Sequence, residues 1–238
     1  MSSSLTDTQE YRDFCRLAAS DPAVFQTFRR QPEYEHIVRV SEEDGGRYLR
    51  RLEEPPVDAT AVIGDPRMYS YPAYSVPLDP VMIRYHHDRQ TIRSLFGPLE
   101  EMNVLEIGGG FGGLAHLLLD ECGTYAICDL PEVRLLQDAY LHRWGQHVDE
   151  AEPSGLLDTY AYDLVVSTFA YSELKPDVAR VYAADYLHGA ARGWLVCNFL
   201  APDQLHRAEL AELLPYAEEL PETPETHVTN RVYAWGHR

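Results

Sequence analysis

The residues best equipped for chemistry lie mid-chain, where Val104-Leu105-Glu106-Ile107 runs straight into Gly108-Gly109-Gly110-Phe111-Gly112-Gly113. An apolar run ending in close-set glycines and continuing into Leu114, Leu117 and Leu118 reads as a strand, a tight turn and a helix. Glycine suits that turn because a ligand must approach the bare backbone where the helix begins. The run satisfies the G-x-G-x-x-G spacing, which alone is a weak sign of dinucleotide binding. Glu106 alters the reading, since an acid at the strand end suits a cationic ligand better than a pyrophosphate. A second acid, Asp129, ends the next apolar run 21 residues after Gly108, where α/β nucleotide sites hold ribose hydroxyls. Leu130 beside it would pack on an adenine. A strand-end Asp also makes an ordinary helix cap, but the pair of acids at this spacing predicts a nucleotide site built from Glu106, Gly108, Gly110, Gly112, Asp129 and Leu130.

Two other clusters offer acid–base groups. Tyr171, Ser172 and Glu173 follow the apolar run Leu164 to Thr168, and in a parallel sheet ligands sit beyond the carboxyl ends of such strands. Glu173 is the first candidate for a base and Tyr171 a companion; the alternative is that Ser172 caps the next helix while Glu173 complements its dipole. The second cluster is Arg84-Tyr85-His86-His87-Asp88, in a helix that precedes the glycine loop. Histidine is the natural base near neutral pH. Helical neighbours point about 100° apart, so one histidine and a residue three or four positions away can share a site; His86 is favoured, with His87 second, and no metal is expected. Arg84 suits a carboxylate bidentately. His116, Tyr69, Tyr71 and Tyr74 are expected to pack, and the acidic stretch from Glu218 to Glu225 to be a solvated loop.

These side chains need a scaffold. Apolar runs at Asn103 to Ile107, Tyr125 to Cys128, Leu164 to Thr168 and Trp194 to Phe199 alternate with helical stretches at Gly113 to Asp120, Val133 to Trp144, Asp177 to Ala191 and Pro202 to Leu214. That alternation predicts βα units on a Rossmann-like α/β sheet, mostly parallel. A last strand, Val228 to Trp235, follows a short piece around Ala217 to Leu220 with no room for a crossover helix, so it should run antiparallel. Upstream, Asp79-Pro80 opens a helix that Gly97-Pro98 ends. Residues 1–98 read as an N-terminal helical extension with a proline- and tyrosine-rich lid, and residues 99–238 as the ligand-binding core.

The chain has 238 residues, 45% of them hydrophobic, enough for a sizeable core. Thirty-eight acidic against twenty basic side chains leave a net charge of −18, which argues against nucleic acid or an anionic membrane as partner. No stretch approaches the ~20 apolar residues of a membrane span, and the four cysteines fall in no CxxC spacing; a cytoplasmic protein is expected.

Glu106-Ile107-Gly108-Gly109-Gly110-Phe111-Gly112, read as E-x-G-x-G-x-G, resembles the nucleotide-binding loop of class I S-adenosylmethionine methyltransferases. The wider chain resembles the sugar O-methyltransferases of bacterial natural-product and glycan clusters. That likeness rests on Glu33-Tyr34, Ile37-Val38, Gly46-Arg47-Tyr48-Leu49, Ile83-Arg84-Tyr85, Leu95-Phe96-Gly97, Asp129-Leu130-Pro131-Glu132, Phe169-Ala170-Tyr171-Ser172-Glu173 and Asn198. Ser167-Thr168-Phe169 stands where the family would carry an Asn and an aromatic. The resemblance implies a class I methyltransferase sheet, S-adenosylmethionine as cofactor and methyl transfer to a hydroxyl of a small molecule, a sugar or glycosylated intermediate. In that reading Arg84 and Tyr85 join the cofactor site, and Glu173, His86, His87 or Tyr171 serves the acceptor. The partner is a small-molecule acceptor, with a homodimer left open. A non-methylating binder of the same cofactor and a nicotinamide-dependent oxidoreductase are the competing readings; the second lacks a convincing Tyr-x-x-x-Lys or similar pair, Lys175 being the only lysine in the chain.

Overall fold

A computed structural model describes residues 8–35, 37–152, 162–200 and 204–237. Its centre is a seven-stranded sheet in the order β3-β2-β1-β4-β5-β7-β6. The strands are β1 (Asn103–Ile107), β2 (Thr124–Cys128), β3 (Asp149–Glu150), β4 (Leu164–Thr168), β5 (Arg192–Cys197), β6 (Glu218–Pro221) and β7 (Arg231–Trp235). The first five run parallel, whereas β7 is antiparallel to both β5 and β6. The antiparallel last strand is as expected from the lack of a crossover; β6 lies at the sheet edge beyond it. The two-residue β3 was not legible in the sequence, being shorter than any run that shows a period.

Four of the five residues in β1 and in β2 are buried, as suits central strands covered on both faces. Side chains alternate between two layers. Val104, Val166, Trp194, Val196, Val232 and Ala234 face one core, and Leu105, Val165, Leu195, Cys197, Tyr233 and Trp235 face the other. The first layer holds α5 (Pro80–Phe96), α6 (Gly113–Leu118) and α7 (Pro131–His142) with the N-terminal helices α1 (Gln9–Ser20), α2 (Pro22–Phe25), α3 (Pro32–Glu35) and α4 (Glu42–Leu49). The second holds α8 (Pro176–Tyr182), its π-helical continuation Ala183–Leu187, and α9 (Arg207–Leu213). The sequence anticipated one helix over Asp177 to Ala191 and another from Pro202; the first changes hydrogen-bond register midway, and residues 201–203 of the second lie outside the described residues.

The extension is fastened to the glycine loop. Asp79 caps α5 by accepting from the Val81 N–H at 3.0 Å and pairs with Arg29 at 2.6 Å, both side chains buried. The Arg29 guanidinium lies 4.3 Å from the Phe111 ring centre, with Phe28 and Tyr34 packed around the same ring. Removing either member of such a buried ion pair typically costs about 3–5 kcal/mol. The proline-rich connector contains a short helical turn at Val57–Thr60 and an isolated bridge between Tyr69 and Leu78.

Candidate functional site

Gly108, Gly110 and Gly112 have φ of 73°, 57° and 93°, a region that costs any other residue strain. A Cβ on Gly108 would overlap the Ala170 Cβ, and one on Gly110 would lie 3.2 Å from the Tyr85 hydroxyl and 3.9 Å from the Tyr34 hydroxyl. The loop is thereby bare backbone facing two phenols, and the buried Tyr34 hydroxyl has no hydrogen-bond partner among the described residues.

Glu106, at the end of β1, is 1% exposed and accepts from the Tyr125 hydroxyl at 2.9 Å. Burial pushes its pKa up to about 7 against that hydrogen bond. Asp129, just beyond β2, accepts from the Leu130 N–H and from the Gln137 amide, both at 2.8 Å, and burial raises its pKa to about 6. Gln137, fully buried on α7, also donates to the Gly110 carbonyl at 3.1 Å and accepts from Arg134 at 3.0 Å. One side chain therefore fixes the second acid against the glycine loop. Sequence reading missed Gln137; a single amide in an amphipathic helix carries no motif.

Beside the loop, a cavity of about 340 Å³ lies between α5 and the face of β5, β7 and β6. Arg84, His87, Asp88, Thr91 and Leu95 line one wall, a single helical stripe. Thr168, Phe169, Trp194, Val196 and Val232 line the other, and Leu220 to Thr223 close the end with Tyr48. Arg84 joins the two compartments. Its guanidinium is 4.9 Å from the Tyr85 ring centre on the loop side and 5.7 Å from that of Phe169 on the cavity side, and its charge is felt at Glu106.

His87, not His86, faces this cavity, its ring 5.2 Å from that of Tyr48. His86, about 100° further round α5, lines a separate groove with Glu53, Arg89 and Gln90, where burial lowers its pKa to about 4. Choosing between adjacent helical positions required knowing the azimuth at which α5 meets the sheet. Tyr171 is fully buried and donates to the Ala179 carbonyl at 3.0 Å, so its hydroxyl is committed to the second core and is not brought to the site. Glu173 accepts from the Asn198 amide at 2.9 Å where β4 and β5 end, and burial raises its pKa. Leu130 packs against the first core beside Asp129. His116 is a packed histidine, stacked 4.0 Å from Trp144 and bonded to Gln146. No helix among the described residues is long and apolar enough to cross a membrane.

No family model matches the chain, and no curated protein matches it. Among solved structures it is similar to magnesium protoporphyrin IX methyltransferase from Synechocystis PCC 6803, with 15% identity and a TM-score of 0.45 over 58% of this chain and 71% of that one. It is also similar to the N-methyltransferase NodS from Bradyrhizobium japonicum WM9, with 16% identity and a TM-score of 0.47 over 63% of this chain and 85% of that one. An S-adenosylmethionine-dependent methyltransferase from Clostridium acetobutylicum ATCC 824 is similar with 10% identity and a TM-score of 0.47, over 63% of this chain and 88% of that one. The strand order, with its reversal between β1 and β4 and its antiparallel β7, makes this a Rossmann-like α/β sheet, a fold in which ligands as a rule bind beyond the carboxyl ends of the strands at such a reversal.

Proposed function

We propose that the chain is an S-adenosylmethionine-dependent O-methyltransferase acting on a hydroxyl of a small molecule, a sugar or glycosylated intermediate. The observation that carries the reading is the conjunction, at one reversal point of the sheet, of a positive-φ glycine loop, the buried Glu106, the half-buried Asp129 and a separate cavity lined by polar side chains. The loop and acids fit the cofactor. Gly108 to Gly112 leave backbone open, the unpartnered Tyr34 hydroxyl faces it, Glu106 offers negative charge to a sulfonium and an ammonium, and Asp129 offers an acceptor to ribose hydroxyls. The cofactor would supply an electrophilic methyl group, leaving the protein to orient an acceptor oxygen and take its proton.

Two side chains are the candidates for taking that proton. His87 faces the cavity, and Glu173 is a half-buried carboxyl with a raised pKa at the strand ends. A positioned base contributes roughly 10²–10⁴-fold, so His87→Gln should lose about that much kcat while Glu173→Gln loses little if His87 is the base, and the reverse otherwise. Residues 1–98 act in this reading as the part that roofs the loop and supplies α5. Calorimetric titration tests the core of it. S-adenosylmethionine should bind the intact chain and lose affinity in Asp129→Ala; binding indifferent to that change, or preference for NADH, overturns the assignment.

A further inference from the structure

Gln137, fully buried on α7, stands between a cation and an anion. Its Oε1 accepts from the Arg134 guanidinium at 3.0 Å, and its Nε2 donates to Asp129 Oδ2 at 2.8 Å and to the Gly110 carbonyl at 3.1 Å. Arg134 lies one helical turn earlier and so shares a face of α7 with it. These partners allow a single orientation of the amide. A guanidinium only donates, whereas an ionised carboxylate and a carbonyl only accept, so a flipped amide would set N–H against N–H and oxygen against oxygen. Arg134, itself 4% exposed, therefore acts on the half-buried Asp129 through the amide as well as through space.

Resting on the methyl-transfer reading, we propose that Gln137 is a positioning residue of the cofactor site: backed by Arg134, it holds the Asp129 carboxylate ionised and at a fixed distance from the glycine loop, so that a ligand spanning the two meets both in register. The two acceptors that it joins come from different βα units. Gly110 belongs to the turn after β1 and Asp129 to the turn after β2, and strand pairing alone does not fix the tips of such turns relative to each other. The amide also abuts the loop backbone, since a Cβ added at Gly109 would lie 3.2 Å from Gln137 Nε2.

The same tie favours the charge that a ribose diol needs. Burial raises the pKa of Asp129 to about 6, opposed by the Leu130 N–H, the Gln137 amide, the Gly109 N–H and the charge of Arg134. The other titratable groups around it are the Glu106 carboxyl of β1, the Cys128 thiol of β2, Tyr11 and Cys15 of α1, Tyr34 of α3 and Tyr182 of α8. Burial raises the pKa of every one of these phenols and thiols, which keeps them neutral near pH 7, so Glu106 is the one among them that adds negative charge there. Loss of the Gln137 donor shifts Asp129 towards its protonated form, which has less acceptor capacity for hydroxyls.

Aspartate labelled with ¹³C at Cγ in the intact chain reports the carboxyl titration of Asp129 by NMR, assigned from Asp129→Asn; glutamates carry no label, so Glu106 does not obscure it. The near-isosteric Gln137→Met should raise the midpoint from about 6 to roughly 7. Gln137→Glu keeps the volume and the Arg134 contact but cannot donate when ionised, and should raise it at least as far. In calorimetry with S-adenosylhomocysteine near neutral pH, Gln137→Met should weaken binding roughly tenfold. Made in Asp129→Ala, the same change should cost less than about twofold, because its effect runs through the acid. An Asp129 midpoint unmoved in both Gln137 variants, or equal losses of affinity with and without Asp129, overturns the proposal while the functional reading stands. Failure of the natural chain to bind S-adenosylhomocysteine overturns that reading, and the role given to Gln137 with it.

Discussion

Around the glycine loop most polar side chains are joined to one another, the Tyr34 hydroxyl being an exception among the described residues. Tyr125 donates to Glu106, Gln137 spans Asp129 and the Gly110 carbonyl, and Arg134 holds Gln137 in turn. Beyond that loop, Arg84, His87 and Asp88 of α5, Thr168 of β4 and Trp194 of β5 each hold a polar atom with no such partner among the described residues. The contrast separates a compartment whose polar groups are tied to one another from a wall whose polar groups are not. Pre-fixing suits a cofactor that is the same in every turnover.

The largest expected effect comes from attacking the fixed compartment at its backbone. In Gly108→Ala the new methyl overlaps Ala170 on the loop after β4 and the residue is held at φ 73°. Overpacking and a forbidden dihedral together should cost on the order of 2–4 kcal/mol. Gly97→Ala is the control, having a φ of 80° with nothing within 4 Å of its Cβ; it should lose about 1–3 kcal/mol, from the dihedral alone. Urea unfolding of the two variants separates close approach from dihedral strain, and equal losses would show that Gly108 is not pressed against β4.

The next effect reverses sign. Glu106 has its folded pKa raised to about 7 by burial, above its unfolded value near 4.5. The folded chain therefore holds the proton more tightly, and that stabilisation is complete below pH 4.5 and lost as the pH rises to 7. At pH 8 the buried carboxylate costs about 3 kcal/mol. Glu106→Gln should accordingly be more stable than the natural chain at pH 8 by up to that amount and little changed near pH 4.5, while binding S-adenosylmethionine more weakly. A thermal-melting series across this range checks the sign. Greater stability at pH 8 with undiminished cofactor affinity would leave the acid without a role in the fixed compartment.

The same division explains what the sequence could and could not disclose. Glu106, the three glycines and Asp129 sit where short-range rules operate, at strand ends and in a turn between a strand and a helix, so their spacing alone located them. The antiparallel β7 followed from the lack of chain for a crossover. The cavity is assembled from α4, α5, β4, β5 and the β6–β7 connector, residues as far apart as Tyr48 and Val232, and no local pattern encodes such a meeting. Asp88 is visible as part of a His-His-Asp run and Thr168 only as part of Ser167-Thr168-Phe169, whereas Trp194 reads as an ordinary strand residue. Tyr171 shows the same limit: its hydroxyl bonds the Ala179 carbonyl, because a residue after a strand end turns inward or outward according to a helical turn that spacing does not determine.

The smallest effect near neutral pH is expected at His86, and it tests the boundary of the cavity. His86 and His87 are adjacent in sequence and similarly buried, yet they line different cavities. At pH 7.5 His86→Gln should change kcat/KM by less than about twofold, because no proton or contact at that position reaches the acceptor side. Its effect belongs to acid. Burial lowers the folded pKa of His86 to about 4, whereas the unfolded chain takes the proton near 6.5. Protonation then favours unfolding, and stability drains away as the pH falls from 6.5 towards 4. His86→Gln removes that loss, so its stability profile should be flatter than the natural chain's over the same interval while its reaction is untouched. A large fall in kcat/KM in this variant, with the acid limb unchanged, would mean that the histidine facing the groove serves the acceptor, and that the open wall of the site lies on the other side of α5.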